Sequence, residues 1–159
     1  MTSLPAVTII HTDGGCLDNP GVGGWAFSLR PGEGEPREGS GGEPQTTNNR
    51  MELTAVIRAL EQLAADPYLR TTPAELYTDS RYVEQGLNSW LERWVRNGWQ
   101  TAGKQPVKNA DLWRRLVELP QQVSVTFHWV RGHAGDEDNE RCHALVQAAI
   151  AEVDAARGP

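Results

Sequence analysis

Residues 53–63 place Leu53, Val56, Ile57, Leu60 and Leu63 at the spacing of one helix face, and the segment is flanked by two short strand-like runs that end at aspartates. Ala6–Thr12 (AVTIIHT) leads into Asp13-Gly14-Gly15, a strand running into a turn, and Pro73–Thr78 (PAELYT) leads into Asp79-Ser80. If the two strands are parallel neighbours, their carboxylates emerge side by side at one sheet edge, where sites are usually built in such folds. Thr47 or Asn48 is placed to cap the helix, which should stop near Asp66-Pro67.

The other segments fill out the same plan. Asn19-Pro20-Gly21 is a turn signal, and Trp25–Leu29 alternates as a second strand. Residues 31–44 are rich in Gly, Pro and Glu and read as a loop around a short third strand near Arg37–Ser40. Ser80 can cap a short helix reaching Gly86, and Trp90–Asn97 reads as another helix. After a polar loop, Gly98–Lys108, Asn109 opens a helix with Leu112, Trp113, Leu116 and Leu119. Val123, Val125, Phe127 and Trp129 alternate as a strand facing a core, and Gly132–Asp138 reads as a loop. A last helix carries Cys142, Leu145, Val146, Ala149, Ile150 and Val153 on one face. Hairpins followed by strand–helix alternation predict an α/β mixed sheet with helices packed on it, as one domain over residues 1–159 with a core of about 6–155.

Composition restricts the function classes. With 38% hydrophobic and 23% charged residues, the 159-residue chain suits a folded domain. No stretch approaches the roughly 20 apolar residues that span a bilayer, so no membrane partner is expected. The N-terminus lacks the basic start and apolar run of a signal peptide, which makes a cytoplasmic location the expectation. Cys16 and Cys142 fit free or buried thiols in a reducing compartment. The net charge of −6 argues at first sight against nucleic acid, but the charge is polarised. Between Arg81 and Arg115 seven basic residues (81, 93, 96, 104, 108, 114 and 115) face three acids, a local +4 that leaves −10 for the rest.

Asp before Gly, or Asp before a helix, is ordinary turn and capping chemistry. Glu52 changes the balance, because it lies on the rim of its helix's apolar stripe, where it can reach over the sheet edge. The run beside it, Thr46-Thr47-Asn48-Asn49-Arg50-Met51-Glu52, supplies hydroxyls, amides and helix-terminal N–H groups suited to a phosphate or sugar. Acids converging on one edge repel each other unless a cation neutralises them, and oxygen ligands suit Mg²⁺ or Mn²⁺. Two such ions about 4 Å apart can activate a water and stabilise a leaving oxygen in phosphodiester cleavage.

Thr12-Asp13-Gly14-Gly15, Thr46–Leu53 (TTNNRMEL), Thr78-Asp79-Ser80, Val130–Gly135 (VRGHAG) and Asn139–Cys142 (NERC) resemble, in order and spacing, the bacterial type 1 ribonucleases H. Trp90…Trp94…Gly98-Trp99 and Lys104…Pro106–Asn109…Asp111–Trp113 belong to the same pattern, and the resemblance covers about residues 6–155. It implies a ribonuclease H-like five-stranded mixed sheet, the first three strands antiparallel, with helices on both faces. It also implies two-metal endonucleolytic hydrolysis of the RNA strand of RNA–DNA hybrids, leaving 5′-phosphate and 3′-hydroxyl ends.

By position, Asp13, Glu52 and Asp79 resemble metal-binding carboxylates, and His133 the residue that manages protons or helps product leave. Asn19, Thr47, Asn48 and Asn49 resemble the groove that senses RNA 2′-hydroxyls and the DNA phosphate, since a 2′-hydroxyl both donates and accepts. Trp90, Trp94, Trp99, Arg93, Arg96, Lys104 and Lys108 resemble a basic, Trp-rich handle that grips the DNA strand, and Arg81 joins these substrate-binding residues. Part of the tryptophan set is expected to pack the helix pair instead. The expected partner is the hybrid, with no obligate protein partner and a monomeric chain.

The match fails at one position. The family places a fourth carboxylate after Asn-Glu-Arg-Cys, and here His143 stands there, on the rim of its own helix's apolar stripe. His143 is therefore a candidate ligand that weakens attraction for Mg²⁺, favours Mn²⁺ and repels metal when protonated below about pH 6.5. The alternative is a hybrid-binding protein whose catalysis is weakened through His143. A DNA nuclease on the same fold is a further reading.

Overall fold

The computed structural model describes residues 7–32, 34–119, 124–131 and 136–156. Five strands form one sheet in the order β3-β2-β1-β4-β5. β1 (Thr8–Cys16), β2 (Gly21–Pro31) and β3 (Arg37–Thr46) are antiparallel neighbours. β4 (Ala74–Thr78) runs parallel to β1 and to β5 (Val125–Trp129). This is the ribonuclease H-like sheet that the resemblance implied.

Even-numbered β1 residues face α1 (Asn48–Ala65), so Ile10 joins Leu53, Val56, Leu60 and Leu63 in the larger core with Leu29 and Leu76. The opposite face carries α5 (Glu137–Ala156), whose Cys142, Val146 and Ile150 pack against Val22 and Ala26. Helices thus cover both faces, and α5 packs on β1, β2 and β3. No helix of the described residues is long and apolar enough to cross a membrane.

Several sequence expectations need correction. β1 does not turn at Asp13 but continues to Cys16, because Gly14, Gly15 and Cys16 pair with Trp25, Gly24 and Gly23 of β2. The third strand reaches Thr46 rather than Ser40, and its glycines are covered by rings: a Cβ on Gly39 or Gly41 would strike Phe27 or Trp25. The last helix starts at Glu137, taking two residues from the expected loop. β5 begins at Val125 and is only half-buried as an edge strand, while Val123 lies outside the described residues.

The two helices expected at 81–86 and 90–97 are continuous. α2 (Arg81–Gln85) passes through a π-helical segment, Gly86–Trp90, into α3 (Leu91–Arg96) without leaving helical geometry. Gly86 permits this, since any Cβ there would collide with the Trp113 ring. Trp113 is fully buried on α4 (Ala110–Glu118) and packs edge-on to Tyr82 and Trp94 at centroid distances of 5.6 and 5.3 Å. Asn109 opens α4 from the N-cap position in a left-handed conformation, but its side chain makes no capping hydrogen bond among the described residues. Its side chain instead donates to the Tyr82 hydroxyl at 3.1 Å and accepts from Arg50 at 3.3 Å.

Candidate active site

Sheet register brings the first two acids together. Thr12 of β1 pairs with Thr78 of β4, so Asp13 and Asp79 are the next residues on two parallel neighbours. Glu52 comes from the second turn of α1, whose start is fixed by the Thr47 hydroxyl accepting from Arg50 N–H at 3.2 Å. Gly14 lets the helix approach: a Cβ there would sit 2.5 Å from the Glu52 nitrogen. As a result one carboxylate oxygen from each of Asp13, Glu52 and Asp79 lies within 4.8 Å of the others.

This arrangement is electrostatically unfavourable by itself. Burial pushes the Glu52 carboxyl well above its ordinary range, and the charges of Asp79 and Asp13 push it further. Asp13 is raised by the same causes in the same order, burial and then Asp79, with His143 opposing. Glu52 Oε1 is buried and, among the described residues, has no hydrogen-bond partner. A cation removes the repulsion and satisfies that oxygen, so the donor set fits a divalent metal.

A second group among the described residues, His11, Asp136 and Asp138, has its carboxylates already engaged. Arg30 binds Asp138 through two contacts of 2.9 and 3.2 Å, and Asp136 accepts from Asn139 N–H.

His143 does turn toward the acids, as its place on α5 suggested. Its Nδ1 lies 3.4 Å from Asp13 Oδ2, and its side chain is 43% exposed. His133 lies outside the described residues.

At the start of α1, the helix that carries Glu52, Asn19, Thr47, Asn49, Lys108 and Asn109 line an open cavity of about 360 Å³. Asn19 Oδ1 accepts from Asn48 N–H at 3.2 Å, which docks the β1–β2 turn on the start of α1. Four of the expected groove residues and Lys108 of the handle are thereby brought to one place.

The handle splits into two roles. Trp90 and Trp94 are partly buried in a ring cluster with Tyr82 and Trp113. Arg93, Arg96, Lys104 and Lys108 are exposed. Trp99 is half-exposed and stacks with Arg114 at 5.2 Å.

A scan of family models matches RNase H over residues 5–151. The chain belongs to the RNase H family. A ribonuclease H of Halorhodospira halophila is 54% identical over 153 residues, covering 96% of this chain and 99% of the relative. One of Nitrobacter hamburgensis is 53% identical over 150 residues, covering 94% and 95% respectively. Among solved structures, LC9-RNase H1, a type 1 RNase H with the type 2 active-site motif, superposes with a TM-score of 0.80 at 32% identity. That likeness covers 95% of this chain and 75% of the other. LC11-RNase H1, solved in complex with RNA/DNA hybrid, gives a TM-score of 0.67 at 25% identity, covering 91% and 97%. The RNase H family is divalent-metal dependent, which agrees with the chemistry of the acid cluster.

Sequence reasoning missed two contributors. Trp129 reads as one more apolar residue of an alternating strand, yet its indole N–H donates to the Asp79 carbonyl at 3.0 Å. Gly14 reads as turn chemistry, yet its role is to admit the backbone of α1. The only local signal for Gly14 was a small residue directly after an acid in a segment otherwise patterned as strand.

Proposed function

We propose that this chain cuts the RNA strand of RNA–DNA hybrids endonucleolytically, leaving 5′-phosphate and 3′-hydroxyl ends, as a single catalytic domain acting as a monomer. The observation that carries this reading is the Asp13–Glu52–Asp79 cluster, in which Asp13 and Glu52 are buried, with an Asn19–Thr47–Asn49–Lys108 cavity at the start of the helix that carries Glu52, in a chain half-identical to ribonucleases H. Asp13, Glu52 and Asp79 would hold two Mg²⁺ or Mn²⁺ ions, with His143 at the fourth position. Bound ions supply an activated water and charge stabilisation at the leaving oxygen.

The chain's own groups do the rest. Asn19, Thr47, Asn48 and Asn49 present amides and hydroxyls that recognise 2′-hydroxyls and a phosphate, which separates RNA from DNA. Arg81, Arg96, Lys104 and Lys108 neutralise phosphates, while Trp90, Trp94 and Trp99 shape the surface that carries them. His133 is assigned proton transfer or product release through its family position. A cytoplasmic place of work belongs to the same proposal, supported by Cys16 and Cys142 both being free thiols.

Comparing labelled hybrid, duplex DNA and duplex RNA tests the substrate. Cutting confined to the hybrid's RNA strand agrees; equal cutting of duplex DNA refutes it.

The His143 position favours a second reading in one respect, a weakened enzyme that mainly binds hybrid. An imidazole 3.4 Å from Asp13 replaces a negative charge and prefers Mn²⁺ over Mg²⁺. His143→Asp is expected to lower the Mg²⁺ concentration needed for half-maximal cleavage and to shrink the Mn²⁺ preference. Identical metal profiles for wild type and variant would remove His143 from the ligand set.

A further inference from the structure

Asp79 is held differently from the other two acids. Asp13 lies within a strand paired to β2, and Glu52 lies within an 18-residue helix. Asp79 lies one residue past the last pairing of β4, in the step into α2, where no ladder fixes its backbone. Its carbonyl instead accepts from the Trp129 indole N–H at 3.0 Å. Trp129 is well placed to act as an anchor: it ends β5 directly opposite Thr78, and the next residue, Val130, donates its N–H to the Thr78 carbonyl at 2.9 Å.

The same indole has a second contact. The Arg81 guanidinium lies over the ring at 3.7 Å from the centroid, much closer than Arg58 over Trp25 at 5.7 Å or Arg114 over Trp99 at 5.2 Å. Arg30, Arg37, Arg50, Arg58, Arg115 and Arg141 each pair with a carboxylate. Arg81 is exposed and, like Arg93, Arg96 and Arg114, forms no ion pair among the described residues. Its planar fork is thus oriented by a ring while its charge stays uncommitted, two residues from Asp79. A guanidinium held this way is preorganised for an external oxyanion, and beside an acid cluster suited to phosphodiester chemistry that oxyanion is a backbone phosphate.

We propose that Trp129 is a positioning residue for this site, whose N–H sets the direction of the Asp79 carboxylate and whose ring face holds Arg81 ready for a substrate phosphate. The proposal rests on the hybrid-cleavage reading above. Packing alone would be served by any large apolar side chain at this strand end. The indole N–H and the Arg81 stack are what packing leaves unexplained.

The test uses the intact chain and begins without substrate, titrating Mn²⁺ calorimetrically into wild type, Trp129→Phe, Arg81→Gln and Asp79→Asn. Trp129→Phe keeps a six-membered ring for packing while losing the N–H donor and the smaller ring of the indole. It is expected to bind Mn²⁺ about three- to tenfold more weakly, the equivalent of one ordinary hydrogen bond. Trp129→Met repeats the measurement with a large apolar side chain that has no N–H donor, should the Phe variant fold poorly.

Arg81→Gln is expected to bind Mn²⁺ no more weakly than wild type. Its KM for hybrid should rise, and the slope of log affinity against log salt should fall by about 0.7–0.9, the signature of one lost phosphate contact. Wild-type Mn²⁺ affinity in a folded Trp129 variant overturns the positioning role, and an unchanged salt slope in Arg81→Gln overturns the phosphate role. Undiminished Mn²⁺ binding by Asp79→Asn would instead contradict the metal-site reading itself.

Discussion

Replacing Glu52 by Gln should stabilise the metal-free protein while abolishing its response to metal. Glu52 is 7% exposed, and its carboxylate lies within 4.8 Å of those of Asp13 and Asp79. At that separation and an effective dielectric of about 20, each like-charge pair repels by about 3.5 kcal/mol when fully ionised. A buried carboxyl escapes part of this by holding a proton, so the relief expected from Gln at pH 7.5 is smaller, about 1–3 kcal/mol. For a chain of this size that corresponds to a Tm about 2–12 °C higher in EDTA.

The pH dependence has a definite sign. Asp13 and Glu52 have folded-state values raised above their unfolded ones, so the folded state binds extra protons. Metal-free stability is therefore favoured at and below the ordinary carboxylate range and declines as pH rises through the raised values. Glu52→Gln should flatten that decline. Saturating Mn²⁺ closes or reverses the gap, since metal at a hundred times its Kd adds about 2.7 kcal/mol to wild type and little to the variant. Thermal unfolding followed by circular dichroism, with EDTA and with Mn²⁺ across pH 5–8.5, provides the assay. A Glu52→Gln protein with a Tm in EDTA equal to or below wild type would refute the reasoning.

Two further substitutions test how the site is assembled. Gly14→Ala drives a Cβ into the α1 backbone at Met51 and Glu52 and should cost about 1–3 kcal/mol in chemical denaturation, with weakened Mn²⁺ binding. Wild-type metal affinity there would show that helix approach does not matter. Arg50→Ala removes a bidentate pair with Asp111 at 2.7 and 3.0 Å and the contact with Asn109. Because both partners are substantially exposed, about 0.5–1 kcal/mol of stability is expected to go, together with a higher KM for hybrid. Asp111 is held below its ordinary range by its hydrogen bond from Arg50, so this stability difference is present above about pH 4 and closes as pH falls further.

What the sequence revealed depended on the range of the interaction. Periodicity located α1, β4 and α5, because each buries one face against a single core and so carries a local pattern. Asp13, Glu52 and Asp79 were legible because each sits at a patterned boundary, and the structure gathers them as expected. The run through Gly14 and Gly15 looked like a turn because glycine carries no side-chain pattern; pairing with β2, a tertiary fact, makes it strand. The same holds for α2 and α3, read as separate helices ending at Gly86 and starting at Trp90, whereas the chain stays helical between them with Gly86 packed against Trp113. Trp129 was read as core because alternation reports which face a residue occupies, not which carbonyl its N–H reaches.

The most direct measurement is cleavage of a labelled RNA–DNA hybrid at pH 8 by wild type and Asp13→Asn, each with Mg²⁺, with Mn²⁺ and with EDTA. The account predicts RNA-strand cutting by wild type with a divalent metal, none in EDTA, and a loss of at least about a thousandfold in Asp13→Asn, in keeping with removal of a metal-binding carboxylate. Tight hybrid binding without cutting under either metal, or cutting that survives EDTA or the Asp13 substitution, would contradict it.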